Sequence, residues 1–210
     1  MSTCCLCSNL VCVRSDEFWN KPLFESTNFV VLPSLGSLVE GWLLIVPRNH
    51  YVSMGALPAH LANEMEQVKI DVTTAIGPRY GKLCAFEHGP SRAGHKIGCG
   101  VDHAHLHIVP INFDLALAAT PLMPPGATWV SATLDSCRIA FNRGQDYLYL
   151  EQPIGHGRIA TNGDFGSQVF RKAIAAQVGK PEQFSWQDYP QKEAVARTIH
   201  ALSNDVEISA

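Results

Sequence analysis

The chain has 210 residues, of which 46% are hydrophobic, enough for a sizeable core in one moderate domain or in one domain with an appended smaller lobe. A net charge of −3 argues against a general nucleic-acid binder, and no apolar run reaches the roughly 18 residues of a membrane span. Seven cysteines, three of them crowded at Cys4, Cys5 and Cys7, are not a secreted disulfide framework; with no basic-then-apolar leader at the N-terminus they suit a reducing cytoplasm.

In chain order, Leu23–Ser26 and Phe29–Leu32 read as strands around a turn at Thr27-Asn28. The unbroken apolar run from Gly41 to Pro47 reads as a buried strand. Leu61, Met65, Val68, Val72 and Ile76 form one stripe of an amphipathic helix over residues 57 to 77, ended by Gly77-Pro78. A strand follows over Lys82–Glu87, and a glycine-rich loop then leads from Gly89 to Gly100.

Residues 103 to 110 read His-Ala-His-Leu-His-Ile-Val-Pro. On an extended chain, side chains alternate, so His103, His105 and His107 share one face, spaced about 6–7 Å apart, while Ala104, Leu106 and Ile108 face a core. Pro110 suits a strand end. Imidazole titrates near neutrality, binds metals and attacks phosphorus, so such a cluster leaves two chemical readings open. Either the middle histidine is a nucleophile for phosphoryl or nucleotidyl transfer, or the trio holds a catalytic metal.

Beyond Pro110, the segment around Pro121–Gly126 reads as a loop between lobes. Asp146–Glu151 reads as a strand with a hairpin partner over His156–Ala160. Ser167 reads as the N-cap of a helix through Val178, and a last helix covers Gln191–Leu202. Nothing in the sequence repeats. Cys12, Cys84 and Cys137 read as small core residues, and His88 and His95 as solvated loop histidines.

With these residues placed, the chain resembles the histidine triad (HIT) superfamily over about residues 4 to 112. His103–Val109 matches its His-x-His-x-His pattern followed by two apolar residues, and Gly41–His50 is similar to its Gly-His-x-Leu-x-x-Pro-x-x-His segment. The resemblance implies an α+β fold: a HIT domain over 1–112, with a five-stranded antiparallel sheet and a flanking helix, and a C-terminal α/β extension over 113–210 packing on it. It implies a homodimer with joined sheets, and a purine nucleotide or dinucleoside polyphosphate as ligand. The implied activity is hydrolysis or transfer at the α-phosphate of a nucleoside polyphosphate or phosphoramidate.

By the same resemblance His105 attacks through Nε2, its Nδ1–H held by a backbone carbonyl, and His107 binds the phosphate or protonates the leaving oxygen. Backbone N–H groups at Cys99, Gly100 and Val101 would contact the phosphate. Ser167 and Gln168, in a segment resembling a Ser-Gln helix start of nucleotide phosphorylase-like relatives, would reach it too. Cys4-x-x-Cys7 is half of a structural zinc site, and a branch of the family completes it with the equivalents of His50 and His103, leaving His105 free of metal. Trp42 stands where many members carry a further histidine; a hydrogen bond near the histidine strand is then missing or replaced by stacking on a base. Two other functions compete with the enzyme: a nucleotide-binding regulatory module with little turnover, and a metallohydrolase using all three histidines.

Overall fold

The computed structural model describes residues 4–11, 17–98 and 100–207. Eight strands form one antiparallel sheet: β1 (Phe24–Glu25), β2 (Phe29–Pro33), β3 (Leu43–Pro47), β4 (Leu83–Gly89), β5 (Leu106–Pro110), β6 (Val130–Ala132), β7 (Tyr147–Glu151) and β8 (Gly157–Ala160). Their order across the sheet is β1-β2-β3-β5-β4-β7-β8-β6. Six α-helices lie among the described residues: α1 (Cys5–Val11), α2 (Ala62–Tyr80), α3 (Leu115–Ala119), α4 (Leu134–Asn142), α5 (Val169–Gln177) and α6 (Lys192–Glu207). None of them is long and apolar enough to cross a membrane.

Both faces of the sheet are covered, which is why central strands read as continuous apolar runs. On one face Leu43, Ile45, Ala85, Leu106, Ile108, Tyr147 and Tyr149 pack with Met65, Val68, Val72 and Ile76 of α2 and with Cys137 and Ala140 of α4. On the other face Cys84, Phe86, Val109, Leu148 and Leu150 pack with Trp42, with Leu115 of α3 and with Phe170, Ala173 and Ile174 of α5. Every residue of β4 is buried, so its odd and even side chains serve different layers.

The sheet has eight strands rather than five because the strand expected at Asp146–Glu151 does not belong to a separate layer. Its residues Tyr147–Glu151 pair in register with β4, Ala85 opposite Glu151 and Gly89 opposite Tyr147. The outer edge of β4 is thus filled from within the chain. The expected hairpin partner is present: β8 pairs with β7.

No sequence repeat exists, yet a connection pattern recurs. β3, α2, β4 and β5 succeed one another with β5 paired to both β3 and β4. β6, α4, β7 and β8 do the same, with β8 paired to both β6 and β7. The expected loop at Pro121–Gly126 carries no strand or α-helix, only the end of a 3-10 turn over Thr120–Leu122; flanking it are α3, β6 and α4, whose short apolar stretches have no clear period.

Three expected boundaries shift. The helix runs through Gly77 and Pro78 to Tyr80. Proline forfeits only its own N–H bond there, and the turn is closed by Gly81 at φ 77°, whose N–H donates to the Gly77 carbonyl (2.8 Å). The last helix starts at Lys192 and extends to Glu207. The paired part of the histidine strand begins at Leu106, so His103 and His105 precede the ladder.

Several polar side chains of the sheet and its helices are matched. Glu64 of α2 accepts Ser26 Oγ–H and both the backbone and side-chain N–H of Asn28, each at 2.7 Å, tying the helix to the β1–β2 turn. Where the two strand–helix units meet, buried Lys69 pairs with buried Glu151 at 2.6 Å. Nearby Glu87 accepts from Tyr147 O–H and from Met54 N–H (2.5 and 2.6 Å). Burial pushes its carboxyl up to about 7, against those two hydrogen bonds.

Candidate functional site

The three histidines follow the expected alternation where it is needed. Ala104, Leu106 and Ile108 lie in the α2-side core. His107 points to the opposite face, against Phe86 and Trp42. His105 and His107 both line one cleft, with ring centroids 4.9 Å apart. His103 does not line it; its ring is buried and turned toward His50, 5.1 Å away.

Each imidazole has a fixed proton pattern, because its partner can play one role only. A carbonyl only accepts. His105 therefore carries its proton on Nδ1, donated to the His103 carbonyl at 2.6 Å, and keeps the lone pair on Nε2. His103 donates Nε2–H to the Pro47 carbonyl at 2.8 Å and keeps its lone pair on Nδ1. Indole N–H only donates, so Trp42 Nε1–H, 2.9 Å from His107 Nδ1, leaves the His107 proton on Nε2. That Nε2 is buried and meets no hydrogen-bond partner among the described residues.

Burial holds His105 below the usual histidine range, opposed by its bond to the carbonyl and helped by the Arg171 charge. Burial, then the neighbouring His105, His88 and Arg171, holds His107 far below it. Both rings are neutral at pH 7, the state with a lone pair to use.

Trp42 corrects the sequence reading in two respects. The hydrogen bond is present, supplied by the indole, and the ring is fully buried and so closed to a nucleobase. Its outer side carries the guanidinium of Arg171, 4.9 Å from the ring centre. Arg171 is itself buried; it donates to the Gly36 carbonyl (2.6 Å) and the Phe184 carbonyl (2.8 Å) and lines the cleft. The sequence reading gave Arg171 no role. Its signal was a cation three residues after Gln168, on the same helix as the apolar Val169, Phe170 and Ile174.

Further cleft walls come from Leu32, Pro33, Ser34 and Leu44, from Trp19 and from Trp186, which the sequence reading also passed over. Trp186 belongs to the segment joining α5 to α6. It sits directly against Gly36: a Cβ on that residue would lie 2.5 Å from Trp186 Cβ, and φ there is 77°. Gly36 N–H also donates to the Pro190 carbonyl at 2.7 Å, so Arg171 and Gly36 together bind this segment across the cleft.

Of the residues expected at a phosphate, Val101 lines the same cleft as His105. Gly100 and Ser167 line an adjoining depression with Gly98, Asp102 and Asp164, and Cys99 lies outside the described residues. Ser167 is not the helix N-cap. Its Oγ donates to the Gly98 carbonyl at 3.2 Å. The N-cap is Gln168, in the left-handed region at φ 61°, with a buried Oε1 that meets no partner among the described residues. The cap hydrogen bond comes from across the sheet: Phe170 N–H donates to His88 Nε2 at 3.1 Å. His88 is therefore a buried strand residue, not a solvated loop one. His95 lies in the loop and bonds Asp146 at 2.7 Å. Cys84 and Cys137 are buried as expected, and Cys12 lies outside the described residues.

Cys4, Cys7, His50 and His103 each offer one ligand atom, all within 4.8 Å of one another. His103 Nδ1 lies 3.5 Å from Cys4 Sγ and 3.4 Å from Cys7 Sγ, and His50 Nδ1 lies 3.3 Å from Cys7 Sγ. Tetrahedral zinc with ordinary Zn–S and Zn–N bonds sets a sulfur–nitrogen edge of about 3.6 Å, so the donor set fits that ion. The Pro47 carbonyl on the far nitrogen of His103 is the usual outer support of a ligating imidazole. His105 is not in the group. This candidate ligand group and the cleft share α1: Cys7 belongs to it, and Cys5 and Leu6 of the same helix form part of the cleft wall.

No protein-family model matches this chain, and no curated protein matches its sequence. Among solved structures it is similar in fold to a hypothetical histidine triad nucleotide-binding protein of Sulfolobus tokodaii, at 20% identity and a TM-score of 0.43, over 53% of this chain and 71% of that one. It is similar to a HIT family protein of Bacillus anthracis, at 18% identity and 0.42, over 54% and 76%. Yeast Ap4A phosphorylase, crystallised with AMP, aligns over 78% of this chain and 72% of its own, at 8% identity and 0.39.

Proposed function

We propose that this chain is a nucleotide hydrolase or nucleotidyl transferase acting at the α-phosphate through a covalent nucleotidyl–His105 intermediate. One observation carries the reading. His105 has its proton engaged at Nδ1 by the His103 carbonyl while its ring lines the cleft, so the lone pair of a neutral imidazole is held at Nε2. Such a nitrogen attacks phosphorus well, and the phosphorylated ring leaves well, so one hard displacement becomes two easier ones.

In this reading His107 presents its Nε2–H to a phosphoryl oxygen, answering the buried donor that meets no acceptor among the described residues. Arg171 supplies positive charge opposite the negative charge spread over the equatorial oxygens. Val101, and with it Gly100, Cys99, Ser167 and Gln168, are proposed phosphate neighbours; Trp19 and Trp186 offer aromatic surface to a base. Cys4, Cys7, His50 and His103 would hold a structural zinc ion that pins α1 beside the cleft. Residues 1–112 form the catalytic unit and 113–210 its extension.

The test uses a nucleotide labelled at the α-phosphate. Wild-type protein, quenched during turnover, is expected to carry acid-labile label on His105, and His105→Ala to carry none and turn over at least about a hundredfold more slowly. Equal turnover in the two proteins overturns the mechanism. Tight binding of the nucleotide without turnover or label in the wild type favours a regulatory nucleotide-binding module instead.

A further inference from the structure

Trp42 does more than fill the core. Its indole N–H can only donate, so the 2.9 Å bond to His107 Nδ1 exists only while that nitrogen keeps its lone pair. The His107 ring is also clamped by Phe86, stacked at 4.4 Å and 19°, which opposes a ring flip. Around it stand His105 at 4.9 Å and His88 at 6.5 Å, and the Arg171 guanidinium lies over the indole. A histidine at position 42 could turn either nitrogen toward His107 and let it take a second proton. Tryptophan cannot, and an imidazolium at 107 would set two donors head to head beside a buried cation.

We propose that Trp42 is a positioning residue that holds His107 as the neutral Nε2–H tautomer, and that this tautomer restricts the site to substrates whose leaving group departs as a stabilised oxyanion. Phosphoanhydrides, as in nucleoside and dinucleoside polyphosphates, meet that condition; phosphoramidates do not. The substrate half of the proposal rests on His105 as the nucleophile.

The bond changes explain the restriction. The lone pair of His105 Nε2 forms the N–P bond. The bond from phosphorus to the bridging oxygen breaks, and its electron pair leaves on that oxygen, where the remaining phosphates spread the charge. No proton is needed, and His107 Nε2–H contributes a hydrogen bond. Water then adds its oxygen to phosphorus, the N–P pair returns to Nε2, and the proton passes to solvent. With a phosphoramidate the departing pair would sit on an amine nitrogen, which has to gain a proton as it leaves. Neutral imidazole is far too weak an acid to supply one.

Two measurements on the full chain with its metal test this. Nitrogen NMR of histidine-labelled protein is expected to show His107 protonated at Nε2 only, unchanged from about pH 8 to about pH 5. Replacing Trp42 by 3-benzothienylalanine, which deletes the N–H and keeps the shape, or by Phe, is expected to release the ring to protonation at Nδ1. Retention of the wild-type pattern in both variants would reduce Trp42 to packing and overturn the positioning role.

In the second measurement, wild type is expected to cleave diadenosine tetraphosphate over adenosine phosphoramidate by at least about a hundredfold in kcat/KM, and Trp42→Phe to narrow that ratio about tenfold through kcat. Equal rates in the wild type overturn the substrate restriction. If wild type cleaves neither compound, the His105 reading falls and the restriction with it, while the spectra still decide the tautomer.

Discussion

Acid should weaken this protein through one histidine far from solvent. His88 of β4 accepts the Phe170 N–H that opens α5, and accepting requires a lone pair on Nε2. Burial first, then the charges of His105, Arg171 and Lys172, lower its pKa from 6.5 to about 3. The unfolded chain binds a proton at this position near the ordinary value, and the native chain refuses it until far lower pH. The associated stability is therefore complete above about pH 6.5 and drains away as the pH falls toward 3. Between pH 7 and pH 5 the linkage relation gives a loss of about 2 kcal/mol from this group alone. In a chain of this length that is a drop in Tm of roughly 4–8 °C. His88→Gln keeps an acceptor oxygen and cannot titrate. Thermal and urea melts of both proteins at the two pH values should show wild type losing about 2 kcal/mol more than the variant. Contributions from His103 and Glu87 are common to both proteins and cancel in the difference. Parallel losses would refute the reasoning.

Protein purified without added zinc should carry about one zinc ion per chain by mass spectrometry, and a Cys4→Ser, Cys7→Ser variant none; a metal held at about a thousand times its Kd adds about 4 kcal/mol, so the variant should melt lower. Metal-free wild type would sink the site. Gly89→Ala should lower the urea midpoint by the equivalent of about 1–3 kcal/mol or more. Its Cβ would lie 2.0 to 2.3 Å from ring atoms of Tyr147, which is fully buried and pinned by Glu87 and by Gly55 N–H. An unchanged midpoint would count against that packing.

The histidine pattern was legible because period-two alternation is a backbone property: whatever pairs with the strand, His105 and His107 must fall on the same side. The Cys4, Cys7, His50 and His103 grouping came only through family likeness, since spacing within one segment says nothing of a partner about 100 residues away. Arg171, Trp186 and the capping role of His88 escaped for the same reason. Each acts across a fold contact between residues 82 to 135 positions apart or through a connecting segment without periodicity. Trp42 was noticed as a departure, but its meaning depended on an atom-to-atom distance. The number of strands was misjudged because Tyr147–Glu151 announces a strand without announcing its neighbour.

That neighbour gives the molecule a permanent companion. A sheet that borrows its flank from a second subunit comes apart on dilution, whereas β7 is tethered to β4 by the covalent chain and stays at high effective concentration whatever the protein level. In the tethered unit β8, which holds the place that β5 holds in the first, reads Gly-Arg-Ile-Ala without an imidazole. What remains at the two rims are β1 and β6, of two and three residues, stubs too brief to recruit a stranger.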